Sequence, residues 1–322
     1  PLPTPPAGIP QAYTLNRPYT LEEKKALVEA NKAVYETIQV GFKYKCLAPP
    51  VRSAKSLTFS NNAKLRELAR MLSLKINVNI ESGEYNQAMQ TCLDGIKLGS
   101  DTSKGSDMIG YFVSSAIYSI VRKYSNKIIN NLSSKEAMSA IARLQTINSE
   151  YVPYKDIIRE EGYSSVALLY INADELVDML MLPGALKVSI ASKHSADKKQ
   201  TPYTEKQVKE LENDWKNAVN YASKPYAEYI KSPVPHCGKL MKASAKLLPE
   251  FRYIYEYNRC AKDMMLLKLA LRAYKYDYGE YPVKLDNLKG AYLKRIPKDP
   301  FAQNAPYKYK LKGQSFILYS IG

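Results

Sequence analysis

From Asn62 onward apolar residues recur at three- and four-residue spacings: Leu65, Leu68, Ala69, Leu72, Ile76 and Ile80. That period predicts a helix with one buried face. The polar run Glu81-Ser82-Gly83-Glu84 interrupts it, and Ala88, Cys92 and Ile96 resume it. The two runs read as a helical hairpin, with Gly83 ending the first in the left-handed conformation. Similar patterns predict helices over 106–131, 134–147, 154–182, 204–221, 238–247 and 250–278. Three of the starts carry capping boxes. Thr20, Ser133 and Thr204 each stand three residues before a Glu or Gln, so hydroxyl and carboxyl or amide can satisfy each other's backbone N–H groups. The first predicts a helix to about Gly41. Pro183-Gly184 and Pro249 predict helix ends, and the Lys-rich stretch 187–203 reads as an exposed loop.

After Tyr278 the period changes. Gly279 suits the position after a helix and Pro282 cannot continue one. Val283 to Leu288 reads as one short turn. Tyr307-Lys308-Tyr309-Lys310-Leu311 and Ser315-Phe316-Ile317-Leu318-Tyr319 alternate on either side of Gly313-Gln314, which predicts a β-hairpin. The fold class is therefore mainly α, with a small α/β module at the end. Residues 1–18, with six prolines, read as an extended linker; 19–248 as a helical domain; 249–322 as a long helix plus the α/β module. The chain does not open on Met, so the linker predicts a segment upstream that has been removed.

Composition narrows the function classes. The net charge of +16 over 322 residues favours acidic partners such as nucleic acid, anionic lipid or cell-wall polymer. Only 11 of the 47 basic residues are Arg, and the lysines are spread along the chain, so a solvated basic surface is the leading reading of the charge and a polyanion site the alternative. Cys46, Cys92, Cys237 and Cys260 form no CxxC pair, which argues against structural zinc. Were Pro249 the turn of a helical hairpin, Cys237 and Cys260 would face each other and could form a disulfide.

The residues from Leu269 to Gly322 resemble the globular part of the major pseudopilin of type II secretion. The matching pieces are Leu271-Arg272-Ala273-Tyr274, Tyr278-Gly279-Glu280-Tyr281-Pro282, Pro297-Lys298-Asp299-Pro300-Phe301, Tyr307-Lys308-Tyr309 and Leu318-Tyr319-Ser320-Ile321-Gly322. The resemblance implies that Gly279, Tyr281 and Pro282 shape the helix exit and that Asp299-Pro300 makes a turn. The family's acidic calcium loop has no counterpart here, so calcium is not expected. The hairpin at 65–98, with its Gly83-x-Tyr85-x-x-Ala88 turn, resembles a single tetratricopeptide unit. The whole arrangement is similar to uncharacterised exported bacterial proteins with a helical domain before this tail. It implies a place outside the cytoplasm, with the membrane reached only through an upstream anchor.

Catalytic chemistry has little to stand on. His194 lies in the Lys-rich loop, and His236 adjoins Cys237, a spacing that does not bring two side chains together on a helix. Asp174, Glu175, Asp178, Glu160 and Glu161 read as a solvated helix face. No nucleotide-binding, nucleophile-elbow or zinc-hydrolase motif occurs. Tyr253, Tyr255 and Tyr257, like Tyr274, Tyr276 and Tyr278, are spaced by two, which sends neighbours to different helix faces and predicts packing roles. No catalytic, metal or cofactor site is expected. The leading expectation is a non-enzymatic scaffold acting through protein contacts. The alternatives are a polyanion-binding module and an enzyme with an unfamiliar site.

Overall fold

The computed structural model describes residues 19–47, 60–169 and 203–322. The linker, Asp174, Glu175, Asp178, Pro183-Gly184, His194 and most of the Lys-rich loop lie outside these. The described residues are mainly helical and end in a two-stranded antiparallel sheet, the predicted class.

The three capping boxes form at Thr20, Ser133 and Thr204. The first opens α1 (Leu21–Ala30), but the predicted single helix to Gly41 breaks at Asn31, and α2 (Lys32–Gly41) follows. The Asn31 amide donates to Leu27 O at 2.7 Å, a local bond that competes with helix continuation. The hairpin is present as α3 (Ser60–Glu81) and α4 (Tyr85–Ser103), joined through Gly83 at φ 78°. Ala88, Cys92 and Ile96 are buried, as the period requires. Next comes α5 (Met108–Val121), which crosses α4 closely enough that a Cβ on Gly95 would lie 2.4 Å from a Val121 methyl. The run predicted as one helix to residue 131 is divided by a 3₁₀ turn (Arg122–Tyr124) before α6 (Ser125–Ile129). Then follow α7 (Ser134–Ser149), α8 (Tyr154–Leu168), α9 (Glu205–Ala222) and α10 (Tyr226–Tyr229).

The largest correction concerns Pro249. Instead of two helices, one continuous helix, α11 (Lys242–Tyr278), runs through it. A proline inside a helix costs about 3 kcal/mol. Leu248 and Phe251 on either side are fully buried, and burial of two such side chains outweighs that cost. At 37 residues α11 is roughly 55 Å long and serves two cores. Its first half joins α8, α9 and α10 around Phe251, Tyr154, Trp215 and Tyr229. Its second half joins α3 to α7 and the C-terminal module around Leu267, Leu271, Ile76 and Leu144. The expected boundary at 248/249 thus falls within one helix, and the tail shares a core with the helices before it.

Candidate functional site

The residues singled out in the tail sit where α11 hands over to the sheet. Gly279 takes φ 78° and its N–H donates to Lys275 O at 2.9 Å, closing the helix. Only glycine adopts that conformation without strain. Tyr281 packs back on α11, its ring 4.5 Å from the Lys275 ammonium and edge-on to Phe316. Pro282 presents its carbonyl to the Tyr309 hydroxyl at 2.7 Å. A 3₁₀ turn (Leu285–Leu288) and the hairpin of β1 (Lys308–Lys312) and β2 (Ser315–Tyr319) follow as predicted. Tyr309, Leu311, Phe316 and Leu318 face inward, and three lysines line the outer side of β1.

Asp299 is more than a turn residue. Its carboxylate, wholly buried, accepts from Phe301 N–H at 3.0 Å, Ser320 Oγ at 2.9 Å and Ile321 N–H at 3.1 Å. Pro300 is buried beside it. The carboxylate ties the exit of β2 to the loop before β1.

Between that tail, α11, α5, the 3₁₀ turn and α6 opens a cleft of about 570 Å³. Arg122, Lys123, Lys262 and Lys268 line it, and no carboxylate side chain does. None of the four makes an ion pair with the described residues. Arg122 donates to Tyr257 Oη at 3.3 Å and Lys268 to Asn126 Oδ1 at 2.9 Å. Lys262 is 7 % exposed. Its ammonium meets Tyr118 Oη at 3.5 Å and lies 4.9 Å and 4.2 Å from the rings of Tyr118 and Tyr151. Burial pulls its pKa down to about 7, and Arg259 adds to the fall while Asp263 opposes it. Burial also lowers Lys268, with Arg122 contributing. Asp263 itself is raised to about 6, chiefly by burial, and accepts from the Tyr307 hydroxyl at 3.2 Å. The sequence reading missed this cleft. Its one local signal was Lys262 in phase with Tyr255, Leu266 and Leu269 on the buried face of α11.

A strip of aromatic rings adjoins the cleft and shares Tyr257 and Phe301 with its lining. Tyr226, Phe301, Tyr253 and Tyr257 follow one another at centroid separations of 5.1, 5.5 and 6.3 Å. Tyr253 and Tyr257 are 45 % and 46 % exposed, whereas Tyr255 is buried. The spacing of two does divide the faces, but residues four apart return to one side, so Tyr253 and Tyr257 form an exposed stacked pair where packing alone was expected.

The other candidates separate. All four cysteines are unpaired. Cys237 lies against the core at the N-terminal half of α11 and Cys260 in the core at its other half. The hairpin that would have joined them is replaced by a continuous helix. His236 is exposed. No group of three or more metal-ligating side chains occurs among the described residues, and among them no helix is long and apolar enough to cross a membrane.

Glu161 departs from the solvated face expected of it. Its carboxylate accepts from Met108 N–H at 2.9 Å at the start of α5, and Asp107 caps the same helix. Burial, with Asp107 adding repulsion, raises its pKa to about 7. A carboxyl raised on folding favours the native state below its unfolded pKa, and that advantage is lost as pH climbs from about 4.5 through 7. Glu161→Gln, which keeps an acceptor for Met108, is expected to be more stable than wild type at pH 8 by on the order of 1–2 kcal/mol. Near pH 4 the two should match, as urea denaturation at both pH values will show.

Compared with known families, with curated proteins and with solved structures, the chain matches none.

Proposed function

We propose that this chain is a non-enzymatic scaffold that works outside the cytoplasm, tethered through a segment upstream of residue 1, and that the Tyr226–Phe301–Tyr253–Tyr257 strip is its protein-binding surface. The observation that carries the reading is the exposed stacked pair Tyr253/Tyr257, continuous with the aromatic Phe301 of the tail. Exposed tyrosines with partly buried neighbours offer large contact area at low entropic cost, as binding hot spots do. The location and tether are proposed from the resemblance of 269–322 to pseudopilins; the unpaired thiols do not contribute to them.

The double variant Tyr253→Ser/Tyr257→Ser tests the surface. It should fold with a stability within about 1 kcal/mol of wild type, since both residues are half exposed. Wild type gently solubilised from its native cell should elute as a larger assembly, and the variant as the free chain. Co-elution of both at the size of the free chain contradicts the reading. For the location, Cys46 is the exposed thiol among the four. A membrane-impermeant maleimide should label it in cells with a permeabilised outer layer and an intact inner membrane.

A second reading, polyanion binding, is favoured by the cleft's four cations and by the lysine row on β1. It requires the affinity for a polymer such as polyphosphate to fall steeply with salt.

A further inference from the structure

The cationic side of the cleft supports a narrower inference, which needs no partner on the aromatic strip that borders it. A cavity near 570 Å³ has the size of a small-molecule site. Its charged side chains are one-sided: four cations and no carboxylate. Surface lysines can stay unpaired because water solvates them. Lys262 has no such option at 7 % exposure, and it makes no ion pair with the described residues. Charged groups nearby do exist on its own helix, Arg259 and Asp263. Asp263, however, is engaged by the Tyr307 hydroxyl. From the other walls Lys262 faces the rings of Tyr118 and Tyr151. The rest of the lining combines apolar and aromatic side chains, among them Met264, Met265, Tyr257 and Leu318, with neutral polar ones such as Ser125, Asn126 and Asn258.

We propose that this cleft binds a small phosphate ester with a ring-shaped or apolar body, its phosphate held by Arg122 and Lys268 and its body against Tyr257 and Met265, beside Lys262. A doubly charged anion is the partner that several uncompensated cations in one cavity call for, and the planar guanidinium of Arg122 fits phosphate in particular. The methionines and Tyr257 exclude water from one side, which strengthens the charge interaction. An inorganic ion would leave that apolar part of the cavity unfilled.

Pyridoxal 5′-phosphate is a suitable probe because it carries the phosphate, the ring and an aldehyde. The amine nitrogen of a lysine adds to the aldehyde carbon, water leaves, and borohydride then delivers hydride to the imine carbon to give a stable secondary amine. Peptide mass spectrometry reads which lysines are modified. Because burial leaves much of the Lys262 amine neutral at pH 7, it should react on the order of tenfold or more faster than exposed lysines. Pyridoxal, which lacks the phosphate, is the control, and the ratio of Lys262 to exposed lysines is compared because pyridoxal cyclises and reacts more slowly overall. A preference that drops at least severalfold with pyridoxal, and likewise in Arg122→Gln and Lys268→Gln, supports the site. Equal ratios with the two aldehydes, or Lys262 reacting no faster than exposed lysines, overturn it. The wild-type comparison alone decides, so a variant that folds poorly does not blunt the test. The probe reads lysine modification and the strip experiment reads assembly, so failure of one is distinguishable from failure of the other.

Discussion

Asp299→Ala will cost the protein about 3 kcal/mol and loosen the final segment. The wild-type carboxylate is wholly buried and accepts three hydrogen bonds, from Phe301 N–H, Ser320 Oγ and Ile321 N–H. A bond to a charged acceptor is worth roughly 1.5–3 kcal/mol, and donors left behind without water cost more. The loss is capped because Ile321 is exposed and can rehydrate once the tail moves. Asp299→Asn keeps one acceptor oxygen and should lose about half as much. Urea midpoints give the free energies. Limited proteolysis gives the place: cleavage within 301–322 should rise in the alanine variant well before the helices are attacked. An unchanged midpoint and cleavage pattern would mean that the tail is held by the inward-facing Phe316 and Leu318 alone.

Lys262→Met will stabilise the protein at pH 6. A buried lysine whose pKa falls to about 7 from its ordinary 10.5 carries a folding penalty. Between those two values the unfolded chain binds more protons, so stability rises with pH across that window and the penalty is fullest below 7. The fall sets a ceiling of ~5 kcal/mol. Contacts with the rings of Tyr118 and Tyr151 favour the charged form and return ~1–2 kcal/mol. Methionine is close in volume and apolar, so the net gain should be about 2–3 kcal/mol at pH 6. The gain should shrink steadily toward pH 10. A gain that does not vary with pH would trace to packing and not to the ammonium. A destabilised variant at pH 6 would show that the two tyrosine rings outweigh the burial.

These predictions turn on residues of different legibility. The Thr20, Ser133 and Thr204 caps, the Gly83 turn and the Gly279 stop were readable because each is decided by chemistry within a few residues. The hairpin was readable because alternation around Gly313-Gln314 leaves one register. Pro249 misled because its local preference is small beside the burial of Leu248 and Phe251, which depends on helices far away in sequence. Asp299 was found, but only as a turn former: two of its three donors come from residues 21 and 22 positions later. The cleft was the least legible. Arg122 and Lys268 are separated by 146 positions and carry no motif, and the significance of Lys262 needs the other walls. The same holds for the aromatic strip, whose second ring, Phe301, comes from the tail.

The most direct measurement of the scaffold reading is photo-crosslinking in the native cell, with p-benzoylphenylalanine at position 257. The account predicts one discrete adduct with a protein partner, lost when Tyr253→Ser is added and absent when the same label sits at Tyr44, which is exposed and not part of the strip. No adduct at 257, or the same adducts from 257 and 44, would contradict it.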